Sequence, residues 1–164
     1  MRLFFLRHGD AEDPGPGQSD AERRLTPAGH AEMREVAVGI RSLNLGLTAI
    51  LTSPRVRARE TADWVARGLQ AEGLLREEPR LGGGCRIGSL QSLLEPYGNA
   101  DRILLVGHEP DFSLLVGDLI GGGLVRVPKA SLIRVDLHRV EPGGGELRWH
   151  LLAEHLARLG DRNR

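Results

Sequence analysis

The chain has 164 residues, enough for one compact domain with a real core, and its 22 basic residues balance 22 acidic ones. A net charge of zero supplies no sequence-wide field, so neither nucleic acid nor a membrane surface is expected as a partner. One cysteine, Cys85, excludes an internal disulfide and any cysteine-based metal framework.

Residues 2–6 are a mostly apolar run centred on Phe4 and Phe5, which predicts a buried strand ending at Arg7-His8-Gly9. The run is too short for a signal-peptide core or a bilayer span, so a cytoplasmic protein is expected. Prolines and glycines make residues 13–20 a loop. Thr26-Pro27 has the form of an N-cap followed by proline at the first helical position, and Met33, Val36, Ala37, Ile40 and Leu43 recur at helical spacing. A helix to about Leu43 follows. Residues 48–52 predict a second short strand, and beyond Ser53-Pro54 the side chains of Ala58, Thr61, Ala62, Val65, Ala66 and Leu69 line one face of a second helix.

An extended piece is expected around residues 78–81, followed by the glycines at 82–84 and a helical pattern at Ile87, Leu90, Leu94 and Tyr97. Residues 103–106 form the strongest buried-strand signal and end at Gly107-His108-Glu109; after Pro110, a helix is marked by Phe112, Leu115, Val116, Leu119 and Ile120. Residues 131–138 and 146–152 are extended runs around a glycine-rich turn, which predicts a hairpin at one side of the sheet. The alternation of strands and helices predicts one domain over residues 1–164, an α/β three-layer sandwich with a mainly parallel central sheet flanked by helices. Ligands of such sheets sit beyond the carboxyl ends of the strands.

Three predicted strand-to-helix junctions place a cationic or nucleophilic side chain at that end: Arg7-His8-Gly9, the segment from Ser53 through Arg57 to Ala58, and Gly107-His108-Glu109-Pro110. Brought together, two guanidinium groups and two imidazoles would make a pocket for a dianionic tetrahedral oxyanion, of which phosphate is the obvious example. The bland readings are a solvated helix start for the charged run 55–60 and structural roles for the two histidines. The convergence of all three junctions outweighs them. Arg23 and Arg24 are candidates to reach substrate from the loop before the first helix, whereas Lys129 is expected to decorate a loop. His30, His138, His150 and His155 lack metal-ligand spacing, and neither a metal nor a cofactor is called for. The sequence also lacks the motifs of serine hydrolases, P-loop nucleotidases and dinucleotide enzymes.

Four segments in order resemble the histidine phosphatase superfamily, and within it the SixA-type phosphohistidine phosphatases. Leu6-Arg7-His8-Gly9-Asp10-Ala11 is similar to the RHG signature, and Arg24-Leu25-Thr26 with Gly29 to the step before the first helix. Ser53-Pro54, Arg57-Ala58 and Thr61-Ala62 are similar to the second phosphate-binding segment, and Gly107-His108 with Pro110 to the second histidine segment. The resemblance implies a phosphoglycerate-mutase-like fold with His8 as phosphoryl acceptor and Arg7, Arg57 and His108 holding phosphate. Gly9, Ser53, Arg24 and Asp10 are expected to line the substrate. Ester-cleaving relatives carry a glutamate after the second helix that protonates the departing alkoxide, and residues 81–88 here contain no acid. Imidazole leaves from phosphorus more readily than an alkoxide, so the gap favours phosphohistidine on a protein as substrate. A small phosphate ester is the alternative, with Asp10 first among Asp10, Glu12, Glu109 and Asp111 as possible acid. A module that binds phosphate or a phosphoprotein without turnover is the other alternative.

Overall fold

The runs around Phe4-Phe5 and Leu104-Leu105 are continuous rather than alternating in apolar character because they lie at the centre of a sheet covered on both faces. The computed structural model describes residues 1–161, so the last three residues of the expected 1–164 span lie outside the described residues. Six strands are described: β1 (Arg2–Arg7), β2 (Ala49–Thr52), β3 (Leu75–Glu77), β4 (Arg102–Gly107), β5 (Leu132–Leu137) and β6 (Gly145–Leu151). They are ordered β3-β2-β4-β1-β5-β6. The first four run parallel to one another, and β5 and β6 add the expected antiparallel hairpin beside β1.

Strand periodicity assigns each layer its side chains. Phe4, Leu6, Ile50, Leu104 and Val106 face a cluster built with α1 (Pro27–Ser42), α2 (Val56–Leu69) and α5 (Ala153–Asp161). Leu3, Phe5, Leu51, Ile103 and Leu105 face the opposite cluster, with α3 (Ile87–Leu94) and α4 (Asp111–Leu119). Thr26 caps α1 as anticipated, its side chain accepting from Gly29 N at 2.9 Å, with Pro27 as the first helical residue.

Two elements depart from expectation. The extended piece sits at residues 75–77 rather than 78–81, pairing parallel with β2. Pro79 has no N–H for a ladder, and it instead opens a 3-10 turn over Pro79–Leu81, capped by the Glu78 carboxylate on Arg80 N. Helix α5 was not anticipated. Ala153, Leu156, Ala157 and Gly160 recur at helical spacing, although Leu156 is its only large fully buried side chain. It docks through backbone proximity: a Cβ on Gly39 of α1 would lie 1.9 Å from Leu156 O, and one on Gly160 would lie 3.0 Å from Val38 Cγ1.

Sheet register sets the location of the chemistry. Arg7 of β1 is opposite Gly107 of β4, and Thr52 of β2 is opposite Val106. The next residue along each strand is His8, His108 or Ser53, so His8 and His108 emerge at one level and Ser53 one residue before it. His8 N donates to Gly107 O at 3.1 Å and Ser53 N to Val106 O at 2.9 Å, which extends the ladder to these residues.

Candidate active site

His8 and His108 are buried beside each other, with ring centroids 5.1 Å apart. His8 Nδ1 lies 2.7 Å from Gly9 O. A carbonyl only accepts, so Nδ1 carries the ring proton and Nε2 presents its lone pair. Gly9 is fixed in turn: its N–H donates to Thr61 Oγ1 at 3.1 Å, and Thr61 Oγ1 donates to Arg57 O at 2.7 Å. A Cβ on Gly9 would lie 2.8 Å from Met33 Cγ, so a larger residue there would force the Met33 side chain to move.

Arg57, in the first turn of α2, is also buried, and its Nε donates to His8 Nε2 at 3.2 Å. Arg7 reaches back from the end of β1 and donates from Nη1 to Val127 O at 2.9 Å. Burial lowers the pKa of both guanidinium groups, against neighbouring carboxylates that oppose the shift, and both remain charged. Ser53 Oγ accepts from Arg55 N at 3.2 Å and lies 2.7 Å from His108 Nε2. The hydroxyl can therefore donate a hydrogen bond to Nε2, which places the ring proton on Nδ1. Among the described residues, His108 Nδ1 and Arg7 Nε are buried without a hydrogen-bond partner.

Burial, aided by the charges of Arg57, Arg7 and Lys129 and opposed by the Gly9 carbonyl, lowers the His8 pKa to about 4. Burial, aided by His8, Arg57 and Arg55, lowers that of His108 to about 2. Both rings are neutral at pH 7. An unfolded chain would protonate them near 6.5, so as pH falls from there the unfolded state takes up protons that the folded state refuses, and stability falls with it. Thermal melts between pH 7.5 and 4.5 should show a decreasing Tm in the wild type. The decrease should be smaller in a His8→Asn, His108→Asn double variant; half-buried His150 shares the direction of shift and remains in both proteins.

The other expected site residues separate. Arg24 turns away: its side chain is 68% exposed and pairs with Glu60 Oε1 at 2.7 Å. Its neighbour Arg23 faces the pocket side of the loop, donating from Nη1 to Asp20 Oδ1 at 2.9 Å. Alternation along an extended segment sends adjacent side chains to opposite sides, and Glu60 supplies the outward partner. Asp10 is near the site but poorly suited as an acid. Lys129 Nζ lies 2.6 Å from one of its oxygens and Thr26 Oγ1 donates to the other at 3.0 Å, and these bonds hold its carboxyl below the usual range. The pair is about half exposed and worth about 0–1 kcal/mol, so it matters for charge state more than for stability. Lys129 therefore does more than decorate a loop.

Asp111 is likewise occupied, accepting from Cys85 N at 3.1 Å and Arg86 Nη1 at 2.7 Å. It thereby holds the acid-free glycine segment against the head of α4. Glu109 accepts from Ser113 Oγ. Two site-side residues have no role assigned from the sequence, Asp20 and Arg55, and Thr61, named there only as part of the second phosphate-binding segment, holds the Gly9 turn. Arg55 lies in the charged run 55–60 with no role of its own assigned, and its Nη1 donates to Asp20 Oδ2 at 2.6 Å. The Ser19-x-x-Glu22 pattern of a capping box was the available signal that this loop is ordered, and Ser19 N and Oγ both donate to Glu22 Oε2.

Residues 3–82 match the histidine phosphatase superfamily (branch 1). An uncharacterized protein of Picosynechococcus sp. strain PCC 7002 is 35% identical over 117 residues, which cover 68% of each chain. The chain belongs to the histidine phosphatase superfamily and is a phosphatase. Among its relatives, phosphohistidine phosphatase SixA of Escherichia coli K12 is 28% identical over 153 residues, covering 92% of this chain and 93% of the relative. The solved structure of the protein histidine phosphatase SixA complexed with tungstate superposes with a TM-score of 0.82 at 27% identity, covering 95% of this chain and 99% of that one. The fold of this histidine phosphatase is thus the phosphoglycerate-mutase-like α/β sandwich. No helix among its described residues is long and apolar enough to cross a membrane.

Proposed function

We propose that this histidine phosphatase removes the phosphoryl group from phosphohistidine on a protein, with His8 Nε2 as the acceptor. The observation that carries the reading is the bond from His8 Nδ1 to Gly9 O at 2.7 Å, which leaves Nε2 as a free base at neutral pH. A neutral imidazole attacks phosphorus, and the resulting phosphoramidate is open to water, so one difficult displacement becomes two easier ones. Arg7 and Arg57 would balance charge on the equatorial oxygens of a loose transition state, and the otherwise unpartnered Nδ1–H of His108 adds a neutral donor.

The substrate class is supported by the state of the carboxyl groups. Asp10 is held as a carboxylate, Asp111 is bonded to Cys85 N and Arg86, and residues 81–88 contain no acid. An alkoxide leaving group needs a proton at the moment of departure; an imidazole needs it far less. The similarity to the SixA phosphohistidine phosphatase of Escherichia coli points the same way, and the tungstate in the SixA complex is a tetrahedral oxyanion of the kind this pocket is charged to hold.

The test measures phosphate release from a phosphohistidine-bearing protein and from a panel of small phosphate esters. Preferred turnover of phosphohistidine is expected. Faster turnover of any ester would move the function to small metabolites.

A further inference from the structure

Arg57 is not idle in this structure. Its Nε donates to the lone pair of His8 Nε2 at 3.2 Å, while Nη1 and Nη2 donate to Asp20, to the backbone oxygen at 2.6 Å and to Oδ2 at 2.9 Å. The same carboxylate takes Arg55 Nη1 at 2.6 Å and Arg23 Nη1 at 2.9 Å. One carboxylate thus bridges three guanidinium groups, and the arginine it holds covers the nucleophile. The partners differ in mobility. Arg57 is 4% exposed and anchored in the first turn of α2, whereas the Asp20 side chain is 50% exposed and follows a loop of largely exposed residues. If one of them moves, it is Asp20.

A phosphoryl group approaching His8 would need the donors that Asp20 now occupies, and its negative oxygens would meet a carboxylate that its three arginines hold ionised, its pKa lowered to about 2. A dianionic phosphoryl group with several terminal oxygens binds a cluster of guanidinium forks better than a monoanionic carboxylate does. The carboxylate, however, is tethered, and a short tether gives an effective concentration of about millimolar.

We propose that Asp20 is a built-in competitor for the phosphoryl group: its carboxylate closes the Arg23–Arg55–Arg57 cluster at rest, yields as the phosphoryl group binds, and returns to expel orthophosphate. This rests on the reading of the His8 pocket as the phosphate site. Asp20 would act as a gate on substrate entry and product release. It would not be a reacting group.

The alternative role is a plain positioning residue that holds Arg57 in place, and the two make opposite predictions. The test is calorimetric titration of orthophosphate into wild type, Asp20→Asn, Asp20→Ala and Arg57→Ala, with orthophosphate inhibition of turnover measured alongside. A competitor that keeps the site closed most of the time lowers apparent affinity by the open fraction, so both Asp20 variants should bind orthophosphate about tenfold or more tightly than wild type. Product inhibition should strengthen by the same factor, and Arg57→Ala should lose binding. Equal or weaker binding in the Asp20 variants, with binding still dependent on Arg57, would overturn the gate and leave the phosphate site standing. Binding that ignores Arg57→Ala, or no binding by any of the four, would overturn the site reading and the gate together.

Discussion

Alanine at His8 is expected to reduce phosphate release to the background of the assay, a loss of at least about 10⁴-fold by analogy with removal of other enzymes' nucleophiles. The expectation comes from how completely the ring is prepared. Gly9 O takes the Nδ1 proton, burial keeps Nε2 unprotonated well below neutral pH, and Thr61 secures the glycine on which that bond depends. No other ring in the pocket is equivalent. His108 uses Nε2 on Ser53, and in the matching tautomer its Nδ1 carries a proton, so it presents no lone pair to phosphorus. Rapid-quench labelling with a phosphohistidine substrate checks this directly. Label should appear on His8 in the wild type and nowhere in His8→Ala, and a protein that kept its turnover without His8 would require a different acceptor.

Alanine at Arg57 is expected to cost about 10³- to 10⁵-fold in kcat, the range seen when a guanidinium that stabilises phosphoryl-transfer charge is removed. Arg57 is buried and, alone among the three arginines that share Asp20, donates to His8 Nε2, so Arg23 and Arg55 do not duplicate its position. Lysine at this position restores the charge but not the fork that serves His8 and an anion together, and it should recover only part of the loss. Steady-state kinetics separate the outcomes. A fall in kcat marks transition-state stabilisation, whereas a rise in KM alone would reduce Arg57 to a binding residue.

The pocket's centre was legible in the sequence because each of its parts lies at the abrupt end of an apolar strand. Arg7-His8, Ser53 and His108 follow the runs 3–6, 49–52 and 103–106, and parallel pairing in register brings such strand ends together. The rim was not legible, for a different reason. Pattern marks residues 13–20 as a loop, but not the direction in which a loop returns, so the arrival of Asp20 on Arg57 had no local signature. The choice between Arg23 and Arg24 turned on which side of an extended segment faced Glu60, a residue 36 positions beyond Arg24. Asp10 was marked as an acid by proximity alone, and the partners that hold it ionised include Lys129, 119 residues away. Helix α5 differs again: Ala153, Leu156 and Ala157 do have helical spacing, but the segment is short, Leu156 is its one large fully buried side chain, and close glycine backbones supply part of its contact with α1.

The adjacency of β2, β4 and β1 carries a consequence for how the enzyme comes into being. His8, Ser53 and His108 are far apart in sequence, and they meet because β4 inserts between the two earlier strands. A nascent chain that has completed β1 and β2 has two of the three junctions and no strand to join them. If the pocket holds phosphate as proposed, anion affinity requires the central strand to be in place, and bound orthophosphate would favour the finished sheet over its precursors.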